Sequence, residues 1–277
     1  MTETTTAPTD GAAFALAWGE WHDEHERRRA DPHGFLAVTT IEFLDAEPRR
    51  VEGVPGLWST SEAGPVVELD ADDEPLELDG VTLSGRHEFG PIAERDGLLL
   101  RSGDTVVELA KRGGHDIVRP RHPGTPLLRD YTGTPTYVPN PRWVAHGRFV
   151  PFDEPRPVTV GSAAPGLEHV YDAPGVVEFE LRGEPLRLTV FGGHGGGYLA
   201  LFTDETSGVT TYAANRSLSI ASPDADGGVV LDFNRAVNLP CAYTDHATCP
   251  LPPAENRLPV AIEAGEKTPV ERLRAAS

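Results

Sequence analysis

Residues 177–190 read VEFELRGEPLRLTV. Val177, Phe179 and Leu181 alternate with Glu178 and Glu180. After the turn at Arg182-Gly183-Glu184-Pro185, Leu186, Leu188 and Val190 alternate with Arg187 and Thr189. Successive strand side chains point to opposite faces, so the pattern predicts an antiparallel hairpin with one apolar and one wet face. Strands are expected to continue at Tyr198–Thr203, Val209–Ala213 and Val229–Phe233, within a β region from Val158 to about Ile262. Strands that meander in this way close into barrels or sandwiches.

The same pattern recurs upstream. Between about Val51 and Leu128, short apolar runs at Val66–Leu69, Leu76–Leu78, Val81–Leu83, Leu98–Arg101 and Val106–Leu109 are separated by turn dipeptides such as Asp79-Gly80 and Asp96-Gly97. These predict a small β unit. Ahead of it, Phe14, Trp18, Trp21 and His25 fall at helical spacing and mark one face of a helix over 11–29, which Asp31-Pro32-His33-Gly34 ends. Phe35 to Leu44 reads as a second helix or a strand. Residues 131–157 carry six prolines among aromatic anchors and read as an extended, packed linker. The expected fold is mainly β: an N-terminal helix plus a small β unit (11–130), the linker (131–157), then a barrel-like antiparallel β unit (158–268). Residues 1–10 are expected to form a disordered tail and 269–277 a second tail.

The 277 residues hold 43 acidic and 24 basic side chains, a formal net charge of −19. Such an acidic protein is repelled by nucleic acid and by anionic membrane surfaces. The start, MTETTTAPTD, has no basic, apolar pattern of a secretory signal, and no stretch approaches the roughly 20 apolar residues of a membrane span. A cytoplasmic location is expected, and a homo-oligomer is compatible with these features.

Chemistry-bearing residues gather near the C-terminal end, where Asp232–Lys267 reads DFNRAVNLPCAYTDHATCPLPPAENRLPVAIEAGEK. It holds both cysteines and Lys267, one of only two lysines. Cys241, His246 and Cys249 give C-x4-H-x2-C, short of the four ligands of a structural zinc site, so no metal and no cofactor is expected. A disulfide, a nucleophilic cysteine and a pair of buried structural thiols all remain open for Cys241 and Cys249. The HGGG run at His194–Gly197 has no accompanying G-x-S-x-G elbow and reads as a hairpin loop. His22-Asp23-Glu24-His25 is not H-E-x-x-H and reads as a solvated helix face. Tyr212 and Arg216 are expected on one strand face, where they can meet an anion or a carbonyl.

Together these residues resemble the domain-of-unknown-function family 1684. The resemblance rests on the F-x-D-x-T-S-G turn at Phe202–Gly208, on Thr211-Tyr212 and Arg216, and above all on the block from Asp232 to Lys267. It extends back through Gly147-Arg148-Phe149. It implies a predominantly β fold and names no reaction. Both cysteine positions belong to the pattern, as do Tyr212, Arg216, Asn234, Arg235, Asn256, Arg257, Glu266 and Lys267; a histidine at 246 does not.

The site expected from these readings is a pocket at a barrel mouth that takes a small, anionic molecule. Arg216, Asn234, Arg235, Asn256 and Arg257 are expected to bind it, and Tyr212, Glu266, Lys267 and Cys241 to do chemistry on it. The function expected is a cofactor-independent hydrolase or lyase. A non-catalytic binding barrel and a protein–protein module are the alternatives.

Overall fold

The structure, a computed structural model, describes residues 11–193 and 196–273. The tail expected at 1–10, the tail beyond 273 and His194-Gly195 of the glycine run lie outside the described residues. The chain forms two compact units. One gathers residues 11–27, 133–242 and 249–270; the other gathers 28–132, 243–248 and 271–273. The fold is mainly β with an N-terminal helix, as the alternating runs predict.

Helix α1 spans Gly11–Arg29. Its residues up to Arg27 cluster with the later β unit, whereas the sequence reading attached the whole helix to the earlier one. The anchor is hydrogen bonding as much as apolar contact: Trp18 Nε1 donates to the Asn234 carbonyl at 2.7 Å.

The two-sheet unit begins with a 3-10 turn at Phe35–Ala37 and contains β1 (Glu42–Phe43), β2 (Arg49–Arg50), β3 (Leu57–Ser61), β4 (Gly64–Leu69), β5 (Glu77–Leu78), β6 (Val81–Thr82), β7 (Gly85–Glu88), β8 (Gly97–Ser102), β9 (Thr105–Arg112) and β10 (His115–Arg121). One sheet is ordered β1-β10-β9-β8-β5-β6, the other β2-β3-β4-β7. Trp58 and Val67 of the second sheet meet Leu100, Leu109 and Val118 of the first in a fully buried core. Behind β9, Glu108 accepts hydrogen bonds from Arg112, Arg119 and Arg121. A short helix, α2 (Pro126–Asp130), is capped by Thr125, whose hydroxyl accepts from Leu128 N.

The half-barrel unit contains β11 (Val144–Gly161), β12 (Glu168–Leu181), β13 (Glu184–Gly192), β14 (Tyr198–Phe202), β15 (Arg216–Ile220) and β16 (Gly228–Asp232). Their order is β15-β14-β13-β12-β11-β16. The sheet curls, and Ser217 of β15 exchanges two backbone hydrogen bonds of 2.8 and 2.9 Å with Val237, just beyond β16. The hairpin read first from the sequence is β12–β13. It turns through Arg182 and Gly183, both at positive φ, a turn that matches the right-handed twist of the flanking strands. Val177, Phe179, Leu181, Leu186 and Leu188 face the core, and Glu178, Glu180 and Arg187 face water. Burying each large apolar side chain contributes roughly 1.5–3 kcal/mol.

Two expectations are corrected. The segment read as a linker supplies β11, the longest strand. Its prolines are tolerated because β16 pairs only with Val144–Arg148; beyond that β11 has one open edge, and its register against β12 shifts between Pro151 and Arg156. Val209–Ala213 is not a strand. Asp204 and Thr206 fold this stretch into a turn: Thr206 N and Oγ1 both donate to Asp204 Oδ1, and Thr206 O accepts from the N–H groups of 209, 210 and 211. After β16 the chain runs to residue 267 without a further strand, through 3-10 turns at 233–235, 240–242 and 254–256.

Candidate functional site

The residues of the C-terminal block are mostly buried, and their side chains bond to backbone. Asn256 shows the principle. β13 and β14 pair only at Phe191–Leu199 and Gly192–Tyr198. Continuing that register would bring Thr189 opposite Leu201. The Asn256 amide occupies this place instead: Oδ1 accepts from Thr189 N, and Nδ2 donates to Thr189 O and Leu201 O, each at 2.8 Å. It completes the ladder where the strands have parted.

Arg216 is also internal, at 1% exposure. It pairs with Asp204 Oδ2 at 2.6 Å and donates to the carbonyls of Ile262, Ala264 and Glu266. Its guanidinium thus holds the last extended segment of the unit, and it faces no solvent where a ligand could be clamped. Tyr212 is half-buried and donates to the Cys241 carbonyl at 2.8 Å. It does not share a strand face with Arg216, because the chain between 203 and 215 is irregular.

Asn234 and Asn238 act at longer range. Asn234 Oδ1 accepts from Asn140 N at 2.8 Å, and its Nδ2 donates to Asn140 O at 3.1 Å. Asn140 in turn caps the turn Pro141–Trp143 by accepting from Arg142 N. Asn238 Nδ2 donates to Lys267 O at 2.7 Å, while Asn238 N donates to Glu266 Oε2 at 2.6 Å. Segment 265–267 pairs with 135–137: Tyr137 N donates to Gly265 O and Lys267 N to Pro135 O.

This pairing separates Glu266 from Lys267. Neighbours on an extended segment point to opposite sides. Glu266 is 2% exposed and meets His25 of α1, Nε2 to Oε1 at 3.4 Å. Lys267 points the other way and stands over the Tyr137 ring, Nζ 4.4 Å from its centroid. Glu266 and Lys267, both expected to act on the ligand, therefore do not face one another. His25, read as part of a solvated helix face, is half-buried and stacked on Trp21 at 5.2 Å. Its place in the periodic row with Trp18 and Trp21 was the signal for this.

Lys267 opens onto a cleft of about 440 Å³, lined by Thr136, Tyr137, Val138, Asn140, Arg142, Trp143, Glu263 and Lys267. Trp143 forms a buried floor, and the Arg142 guanidinium lies 5.2 Å from its ring centroid. The Tyr137 hydroxyl bonds Thr210 Oγ1 at 2.5 Å, which fixes the ring under Lys267. Among the described residues neither Lys267 nor Arg142 forms an ion pair. Of the residues expected at the site, only Lys267 lines this cleft; Asn234 positions it from behind. Arg257 is exposed elsewhere, and Arg235 pairs with Asp232 and covers Trp21. Arg142 and Tyr137 were missed because they stand in the proline-rich stretch read as a linker.

Cys241 and Cys249 are both buried, and the Cys249 sulfur accepts from Cys241 N at 3.3 Å. Among the described residues no group of three or more His, Cys, Asp or Glu side chains converges as metal ligands would. No described helix is long and apolar enough to cross a membrane.

No curated protein matches the chain. One solved structure that it resembles is the solution NMR structure of an uncharacterized protein of Haloarcula marismortui, 29% identical, with 52% of this chain and 81% of that chain covered and a TM-score of 0.44. The model of the family described as "Protein of unknown function (DUF1684)" matches residues 129–267, which span β11 to β16 and both segments that build the cleft. With half its length matched, and with the buried asparagines, Arg216, both cysteines and Lys267 all inside that match, the chain belongs to the DUF1684 family.

Proposed function

We propose that this protein binds a small anionic metabolite, bearing a carboxylate or phosphate group, in the cleft between Arg142 and Lys267. One observation carries the reading. In a chain of net charge −19, two cations line one cleft, and neither is neutralised by an ion pair among the described residues. The volume suits a small ligand, since such sites span roughly 300–1,000 Å³. Arg142 offers a planar fork for two oxygens and Lys267 a point charge. Glu263 on the rim gives selectivity, favouring ligands with a hydroxyl or ammonium group beside the anion and opposing bare polyanions.

Binding is favoured over a hydrolase or lyase. Glu266, one of the residues expected to do chemistry, is buried on the far side of its segment and already holds Asn238 N and His25. Calorimetric titration with inorganic phosphate, succinate and serine, and with glucose as the neutral control, tests the proposal. An anion is expected to bind with an affinity that falls with salt, and Lys267→Ala or Arg142→Ala to weaken it about tenfold or more, the loss of one hydrogen bond to a charged group. Unchanged affinity in both variants, or no anion binding at millimolar concentration, overturns it.

A further inference from the structure

We propose that Cys241 and Cys249 form a reversible thiol–disulfide pair, a modification site for low-molecular-weight disulfides. These are the only two cysteines of the chain, and the fold brings them together. The Cys249 sulfur lies 3.3 Å from the Cys241 backbone nitrogen. A disulfide requires Cα atoms about 4.4–6.8 Å apart, a separation that such a contact fits.

Both backbones are already held. Tyr212 donates to the Cys241 carbonyl, and Ala163 N donates to the Cys249 carbonyl at 2.8 Å. Asn215 joins the two neighbourhoods: its Oδ1 accepts from the Cys241 thiol at 3.7 Å, and its Nδ2 donates to Pro250 O at 2.8 Å. The two thiols also have different surroundings. The Cys249 sulfur accepts an N–H, a contact that favours the thiolate, and it is the more exposed at 7% against 2%. Cys249 is accordingly the attacking residue.

In the reaction, the Cys249 thiolate attacks one sulfur of the small disulfide, forms a mixed disulfide and releases one thiolate. Cys241, deprotonated, then attacks the Cys249 sulfur, forms the internal bond and releases the second thiolate. The two protons from the cysteines end on the two released thiols. The protein loses two electrons, and the small disulfide gains them. Burial makes the exchange slow unless the segment opens locally.

The test incubates the native full-length chain in buffers of increasing oxidised-to-reduced glutathione ratio, followed by acid quench, alkylation and intact mass. The expected product is about 2 Da lighter, takes up no alkylating agent and reverts with dithiothreitol. Cys241→Ser is expected to stop at the glutathione adduct on Cys249, and Cys249→Ser to react far more slowly. The oxidised protein should melt no lower than the reduced one. Two alkylated cysteines after native incubation, internal bonding only in denaturant, or a melting point that drops on oxidation would each overturn the proposal.

Discussion

Asn256 illustrates what the family's polar residues do. A turn-capping role is the ordinary reading of an asparagine among prolines. In the fold its amide replaces backbone partners at a strand gap, with all three polar contacts inside the core. Asn256→Ala leaves one N–H and two carbonyls of β13 and β14 buried without partners. Each such group costs about 1–3 kcal/mol, so a loss of roughly 3 kcal/mol or more is expected in urea unfolding. Asn256→Asp should be no better, because it removes both N–H donors and adds a buried charge. A variant with a wild-type midpoint would show that the strands close without the amide. Asn238 works similarly on the backbone of Lys267, which links these buried groups to the cleft.

Among the elements, β11 separates what the sequence discloses from what it conceals. The β12–β13 hairpin and α1 were legible because their signal is local periodicity, carried by five to nineteen neighbouring residues. β11 was hidden because its prolines contradict a central strand, and only its single open edge resolves the contradiction. The turn at 203–215 and the stretch beyond β16 were hidden for another reason. Their order depends on Asp204, Arg216, Asn234 and Asn256 reaching backbone far away in sequence, which leaves no period to read. The cleft shared this fate: Lys267 stood out as a rare lysine, whereas Arg142 and Tyr137 did not. The β11–β12 pairing makes its own prediction. A Cβ on Gly175 would lie 2.3 Å from Val150 O and 2.8 Å from the Phe149 ring, just where the register shifts. Gly175→Ala should therefore cost about 1–3 kcal/mol, seen as a lower urea midpoint. A neutral effect would mean that the strand gives way locally at no cost.

At the scale of the whole molecule, a chain built of two compact units need not unfold in one step, and pH should reveal this. Asp73, Glu108 and Asp130, all in the two-sheet unit, are carboxylates held below their usual range. Asp73, beside Arg50, and the exposed Asp130 sit in surface ion pairs and contribute little. Glu108 is different. Burial pushes its carboxyl up, but Arg119 and Arg121 together pull it further down, so its folded value lies below the ordinary 4.5. A depressed carboxylate contributes stability that is present above its unfolded pKa and is lost as pH falls through the folded value. The two-sheet unit should accordingly weaken below about pH 4.5. Trp58 reports on this unit alone, because the other three tryptophans belong to the half-barrel unit; its indole N–H, bonded to Pro55 O at 2.9 Å, gives a distinct NMR signal. Glu108→Gln keeps the shape but leaves three guanidiniums around a neutral amide, which should cost about 3–5 kcal/mol at neutral pH. The variant should also lose much of the acid sensitivity, since the titrating group is gone. Parallel pH profiles for the Trp58 signal in wild type and Glu108→Gln would show that the acid response arises elsewhere.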